Sequence, residues 1–233
     1  MDALILCGGK GTRLATIVNE IPKPLALVAG RPFLDYLLDY LSKFEQITRV
    51  ILATGYLANQ FESYYGCISR GIPILYSVED IPVGTGGAIV MAMRRYRIQE
   101  PFFIFNGDSF IDADLDRLTM ILEDKAALLG LSLFKIADAS RFGTVLCSSG
   151  KAISFTEKSG LSTPGLINAG VYIASPAAFD TWRNLDKFLS LEQEILPVLV
   201  RGGSVSVIET GSRFIDIGTP ETYLAATNFF SNS

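Results

Sequence analysis

The sequence contains no histidine. Without an imidazole there is no Ser-His-Asp or Cys-His relay, no His metal ligand, and no side chain whose unperturbed pKa lies near neutrality. Chemistry must then run on carboxylates, lysines, arginines, backbone amides or a bound ion. Cysteine is scarce as well. Three residues, Cys7, Cys67 and Cys147, widely spaced and odd in number, form neither a zinc pattern nor a paired disulfide framework, which points to a reduced, cytoplasmic chain. Long apolar runs are missing too. The longest uncharged stretch, 159–179, is interrupted by Gly160, Pro164, Gly165, Asn168, Gly170 and Pro176, whereas a membrane span needs about 20 mostly apolar residues. Asp2 stands where a secretion signal would be basic, and the apolar run from Ala3 to Cys7 is too short for its hydrophobic region. Nor is there an excess of positive charge. Twenty Lys+Arg against 24 Asp+Glu give a net charge of −4 and a pI near 5.0, which argues against a nucleic-acid partner.

What remains is globular: 233 residues, 49% apolar and 19% charged. Strand-like runs at 3–6, 50–54, 72–78 and 102–105 alternate with helical patterns at 33–44, 57–65, 86–95 and 114–124. Near-continuous apolar strands separated by helices predict a Rossmann-like, doubly wound α/β sheet with helices on both faces. After the strand 128–134 the rhythm changes. Segments 143–147, 153–156 and 167–174 read as strands joined by Gly and Ser turns, followed by a helix at 192–200, strands at 205–209 and 214–217, and a last helix at 220–229. This predicts a mixed sheet with a smaller β portion. With no linker, repeat or low-complexity segment, 1–233 reads as a single domain; nothing speaks to oligomeric state, and a homo-oligomer stays open.

Directly after the first strand stands Leu6-Cys7-Gly8-Gly9-Lys10-Gly11-Thr12-Arg13-Leu14. Glycines let backbone N–H groups approach an anion, and a following helix adds its positive end. A tight turn would also use glycine, but three glycines around Lys10, ahead of Arg13, favour a polyphosphate ligand. Two familiar loops fail on the letters. A Walker A loop needs Ser or Thr after Gly-Lys, where this chain has Gly11, and a dinucleotide fingerprint needs glycine where it has Leu14. Lys23, between Pro22 and Pro24, is expected on a stiff extended segment, as a second cation for the same phosphate chain.

Asn106-Gly107-Asp108 follows an apolar strand, so Asp108 should stand at the carboxyl edge, where open sheets bind ligands. Asp216, in Phe214-Ile215-Asp216-Ile217-Gly218, sits among apolar neighbours, an expensive place for a carboxylate without a partner. Together the two would suit Mg²⁺ with water and phosphates. Asp112-Ala113-Asp114 has the spacing of a glycosyltransferase metal motif, but its position at a helix start favours capping. Ser190-Leu191-Glu192-Gln193 fits a capping box and is assigned no chemistry. Glu157-Lys158 alone is an ordinary strand end.

In order along the chain, Gly8-Gly9-Lys10-Gly11-Thr12-Arg13-Leu14, Pro22-Lys23-Pro24-Leu25, Gly84-Thr85-Gly86-Gly87-Ala88, Asn106-Gly107-Asp108, Glu157-Lys158, Asn168-Ala169-Gly170-Val171-Tyr172 and Asp216-Ile217-Gly218-Thr219-Pro220 resemble the sugar-1-phosphate nucleotidyltransferases. Within that family the chain looks most like those that guanylylate D-glycero-α-D-manno-heptose 1-phosphate, on the strength of Leu-Cys-Gly-Gly, Gly-Thr-Gly-Gly-Ala-Ile and Arg141-Phe142-Gly143-Thr144-Val145. The resemblance implies a nucleotide-binding half to about 125 and a sugar-phosphate-binding half beyond it. It implies that Leu6, Gly8, Gly9, Gly11 and Thr12 line the nucleotide, that Arg13 and Lys23 face the triphosphate, and that Gly86 and Gly87 approach base and ribose. Asp108 and Asp216 would hold Mg²⁺; Gly143, Glu157, Lys158 and Asn168 would hold the sugar phosphate, with Arg13, Lys23, Asp108 and Lys158 catalytic. The partners implied are a nucleoside triphosphate and a sugar 1-phosphate, with no nucleic acid and no membrane. Uridylyl, cytidylyl or mannose 1-phosphate guanylyl transfer, a non-catalytic nucleotide-sugar sensor, and a glycosyltransferase built on Asp112 and Asp114 remain the alternatives.

Overall fold

The computed structural model describes residues 1–9, 14, 20–158, 160–184 and 187–231. β1 (Asp2–Leu6) opens the chain, followed by a short ribbon of β2 (Leu27–Val28) and β3 (Arg31–Pro32) and by α1 (Phe33–Leu41). Then come β4 (Arg49–Thr54), α2 (Ala58–Tyr65), β5 (Ile68–Ser69), β6 (Ile72–Val78), α3 (Gly84–Arg95), β7 (Phe102–Asn106), β8 (Ser109–Ile111) and α4 (Leu115–Met120). The chain continues with β9 (Leu129–Ile136), β10 (Thr144–Ser148), β11 (Lys151–Thr156), β12 (Gly165–Ala174), α5 (Leu196–Arg201), β13 (Val205–Glu209), β14 (Phe214–Asp216) and α6 (Pro220–Ser231).

Ten strands form one sheet in the order β10-β11-β13-β9-β12-β7-β1-β4-β6-β5. β7, β1, β4 and β6 run parallel, whereas β12 is antiparallel to both β7 and β9. The fold is the doubly wound mixed sheet expected from the alternation of strands and helices. Successive residues of each central strand face opposite cores. Leu4, Ile51 and Ile104 pack towards α3 and α5, and Ala3, Ile5, Leu52 and Phe105 towards α1 and α4. Burial on both faces is why these strands read as continuous apolar runs. α1 turns Phe33, Leu34, Leu37, Leu38 and Leu41 inward, and α6 closes the far side, where Phe230 stacks on Tyr36 at 3.7 Å between ring centres. Among the described residues, no helix is long and apolar enough to cross a membrane.

Several elements differ from expectation for local reasons. Lys23 does not lie on an extended segment: it opens a single 3₁₀ turn, Lys23–Leu25, in which Leu25 N donates to Pro22 O at 2.9 Å and Ala26 N to Lys23 O at 3.0 Å. Pro24 occupies a position whose missing N–H costs the turn nothing. The helix expected at 192–200 begins as a π turn, Leu191–Ile195. Pro197 cannot donate to the turn above it, and Ile195 N reaches back to Ser190 O instead. The helix expected at 114–124 stops at Met120 and continues as a 3₁₀ turn, Ile121–Glu123. β8 is three residues long, too short to show a period. Paired with β14 it sets Ser109 opposite Asp216, and that pairing builds the site.

Candidate active site

The carboxyl ends of β1 and β7 open into a cavity of about 380 Å³ lined by Leu6, Gly8 and Gly9 on one side and Asn106 and Asp108 on the other. Ligands bind at this edge of open parallel sheets. Gly9 has φ +107°, a conformation that glycine adopts without strain. Gly107 N donates to Leu6 O at 3.0 Å, and a Cβ on Gly107 would lie 2.7 Å from that oxygen. The glycine thus lets the end of β7 press against β1, with Asp108 at the cavity wall. Gly11, Thr12 and Arg13 lie outside the described residues.

Two ion pairs cross the cavity. Lys23 Nζ lies 2.8 Å from Asp108 Oδ2, and Arg141 Nη2 is 3.1 Å from each oxygen of Asp216. The expensive carboxylate therefore has its partner, Arg141, which reading the sequence did not assign. Asp216 also accepts from Gly218 N at 2.9 Å. The loops bearing the two carboxylates are joined by Ile217 N donating to Asp108 O at 2.9 Å. Burial raises the Asp216 carboxyl above the usual range; Arg141 opposes the rise and the nearby charge of Asp108 adds to it. The buried thiol of Cys7 is pushed up by burial and by Asp108, which keeps it protonated and removes it as a nucleophile.

Gly143, Glu157, Lys158 and Asn168 line the same cavity. Phe155 covers Gly143 so closely that a Cβ would meet its ring at 2.6 Å. Asn168 N donates to Gly143 O at 2.9 Å, and its side-chain Nδ2 donates to the Tyr172 hydroxyl at 2.6 Å. Gly86 and Gly87 are not among the lining residues. A Cβ on Gly86 would lie 2.6 Å from Ile195, so this glycine lets α3 pack closely on the 191–195 turn, whereas one on Gly87 would lie 2.9 Å from Val83, at the N-cap of α3 itself. Thr85, just before them, reaches the cavity instead. Its hydroxyl donates to Glu192 Oε2 at 2.8 Å and accepts from Leu191 N at 2.8 Å.

Ser190 is the N-cap expected of it, its hydroxyl accepting from Gln193 N at 3.1 Å, but Ser190 N donates to Glu194 Oε2 at 2.9 Å and not to Gln193 as the box predicts; Ser190, Glu192 and Gln193 also line the cavity. A box signature shows the local turn but not that the π turn Leu191–Ile195 packs on α3. By contrast Asp112 is consumed locally, accepting from Ser212 N at 2.7 Å and Arg213 N at 2.9 Å, while Asp114 caps α4 through Arg117 N at 3.0 Å. These bonds match the capping reading and leave the glycosyltransferase alternative without a free Asp pair. A further carboxylate, Glu79, follows β6 and packs against the glycine turn: a Cβ on Gly8 would lie 2.9 Å from Glu79 Oε1. Its other oxygen accepts from Val83 N at 3.1 Å. Burial raises its carboxyl above the ordinary range, and the Val83 bond partly opposes the rise.

Residues 2–233 match the protein family described as Nucleotidyl transferase. The D-glycero-alpha-D-manno-heptose 1-phosphate guanylyltransferase of Aneurinibacillus thermoaerophilus is 40% identical over 226 residues, 97% of this chain and 96% of that protein. The protein of the same name from Campylobacter jejuni is 38% identical, covering 96% of this chain and 97% of its own length. Among solved structures, HddC from Yersinia pseudotuberculosis complexed with GMP-PN superposes with a TM-score of 0.85 at 32% identity, covering 98% of this chain and 99% of that one.

Proposed function

The chain belongs to the nucleotidyl transferase family, and from that premise we propose that it transfers a guanylyl group from GTP to D-glycero-α-D-manno-heptose 1-phosphate. Pyrophosphate leaves, and the nucleotide sugar, made in the cytoplasm, feeds surface polysaccharide synthesis. The observation that carries this reading is the convergence of Asp108, Asp216, Lys23 and Lys158 on one cavity, with no imidazole anywhere in the chain. A phosphate monoester is already ionised near neutral pH, so its oxygen attacks the α-phosphorus without a general base. One P–O bond forms to the sugar phosphate while the bond to the bridging oxygen of the departing pyrophosphate breaks. The protein's part is positioning and fixed charge. Lys23, with Arg13, faces the triphosphate; Lys158, with Gly143, Glu157 and Asn168, holds the sugar phosphate.

Asp108 and Asp216 fit a magnesium site. They offer only hard oxygen donors, the charge of Asp108 acts on the Asp216 carboxyl, and among the described residues no cluster of three or more potential ligands surrounds them. Mg²⁺ characteristically takes one or two carboxylates and fills its remaining positions with water and substrate phosphates. Bound there, it would neutralise charge that develops on the reacting phosphates. Gly218 keeps the Asp216 carboxylate in place, because a Cβ would lie 2.4 Å from Asp216 Oδ2. Gly218→Ala is therefore expected to weaken Mn²⁺ binding about tenfold, the worth of one charge-assisted contact. Electron paramagnetic resonance titration reads the change, and an unaltered affinity would remove Asp216 from the ligand set.

Glu79 supports guanine as the base. Guanine is the common base whose pairing edge presents two adjacent donors, N1–H and N2–H, and a carboxylate accepts both. Steady-state pyrophosphate release from four nucleoside triphosphates against a panel of sugar 1-phosphates tests the whole reading. GTP with the heptose 1-phosphate is expected to lead. Glu79→Gln should lower kcat/KM for GTP by about 10–100-fold, as for loss of a bidentate base contact, while ATP, UTP and CTP change little. Release with UTP or CTP alone would overturn the guanylyl assignment, and no release with any pair would sink the transferase reading.

A further inference from the structure

Of the cations that line the cavity among the described residues, Arg141 has no role in the reading above. Its contact with Asp216 is also unlike that of a settled ion pair. Nη2 alone straddles the carboxylate, 3.1 Å from each oxygen, instead of the two-nitrogen fork that gives arginine its strongest carboxylate geometry. Nε is buried with no hydrogen-bond partner among the described residues, an unfavourable state for a charged donor. The backbone around it is well fixed, with Phe142 N donating to Ala139 O at 3.0 Å and the Phe142 ring packed edge-on against Phe214 of β14. The side chain as a whole is about one-third exposed, and Arg141 lines the same cavity as Gly143 and Lys158.

The two expected metal carboxylates are thus each matched by an internal cation, Asp108 by Lys23 and Asp216 by Arg141. A divalent ion weakens the attraction within both pairs, most of all at Asp216, where Arg141 Nη2 contacts both oxygens, and the released cations then face whatever anion enters the same cavity. For Lys23 that anion is the triphosphate. For Arg141, two residues before Gly143 and lining the same cavity as Lys158, it is the phosphate of the sugar 1-phosphate. We propose that Arg141 is a placeholder and then a phosphate ligand, balancing Asp216 in the metal-free protein and passing to the sugar phosphate when the carboxylate takes the metal. The inference rests on the transferase reading and adds a coupling to it. Metal and sugar phosphate each release the group the other needs, so each binds more tightly in the presence of the other.

Two affinities measured on the full chain test this, with Mn²⁺ by paramagnetic resonance and D-glycero-α-D-manno-heptose 1-phosphate by calorimetry. In Arg141→Gln, Mn²⁺ without substrate is expected to bind about tenfold more tightly, because its competitor for Asp216 is gone. The sugar phosphate, measured with Mn²⁺ present, is expected to bind about tenfold more weakly by the same reasoning. Arg141→Lys should recover part of the phosphate affinity, since it keeps the charge but not the fork. A purely structural pair would move both affinities the same way, because losing it would loosen Asp216. Weakening of both, or no change in either with a folded Arg141→Gln or Arg141→Lys protein, overturns the proposal. A wild-type chain that binds neither Mn²⁺ nor any sugar 1-phosphate overturns the transferase reading instead.

Discussion

Asp108→Asn is expected to lower kcat by about 10²–10³-fold, the usual loss when one preorganised electrostatic group is taken from a reaction centre. The melting temperature should stay within about 3 °C of the parent, because a solvent-facing substitution away from the core costs little. The Asp108 side chain is 39% exposed, so the amide creates no buried defect. The bond that ties its loop to β14 uses the Asp108 carbonyl, which accepts from Ile217 N at 2.9 Å and survives the change. What disappears is the negative charge, and with it the oxygen donor proposed for Mg²⁺ and the partner of Lys23 at 2.8 Å. Lys23→Met and the double variant complete the measurement. If Lys23 serves only to hold Asp108, the double variant will be no slower than Asp108→Asn. If Lys23 acts on the triphosphate separately, the two losses will compound. Full turnover of Asp108→Asn at saturating Mg²⁺ would exclude the carboxylate from the reaction.

The doubly wound half was legible in the sequence because β1, β4, β6 and β7 are buried on both faces, and continuous apolar runs cannot be mistaken for amphipathic surface strands. Lys23 and Asp108 were legible through their settings, one clamped by prolines and the other at the end of such a run. Arg141, Thr85 and Glu192 were not, since each enters the site through contacts distant in sequence: Arg141 across 75 residues to Asp216 and Thr85 across 107 to Glu192. The β8–β14 ribbon that delivers Asp216 to Asp108 was half-hidden for the same reason. A three-residue strand has no period of its own and exists only because its partner does. Gly86 and Gly87, expected near base and ribose, pose the opposite difficulty. A glycine needed for helix packing and a glycine needed for ligand approach carry the same letter, and only the direction of the missing Cβ, towards Ile195 and Val83, tells them apart.

That ambiguity makes Gly84→Ala the substitution with the largest expected effect on stability, about 2–4 kcal/mol from a strained residue together with a lost backbone hydrogen bond. Gly84 has φ +80°, and a Cβ there would lie 2.5 Å from the carbonyl oxygen of Leu189. The obstacle is backbone and cannot rotate away. Relief requires separating 83–87 from 189, yet those segments are latched by Leu189 N donating to Val83 O at 2.8 Å and Gly87 N to Leu189 O at 3.0 Å. For a chain of 233 residues, the melting temperature should fall by about 5–15 °C. Gly87→Ala is the control. Its φ is not positive and its obstacle is the Cβ of Val83 at 2.9 Å, which must shift a little, so it should cost about 1 kcal/mol, less than the Gly84 variant, the overpacking being partly offset by the better helix propensity of alanine. Because Thr85 lies inside the latched segment and bonds to both Glu192 and Leu191, the Gly84 variant should also raise KM for the sugar 1-phosphate more than it lowers kcat. Equal melting temperatures for the two variants would mean that α3 and the 188–191 segment can part without cost. The wall of the cavity would then owe its shape to the ligand instead of to the fold.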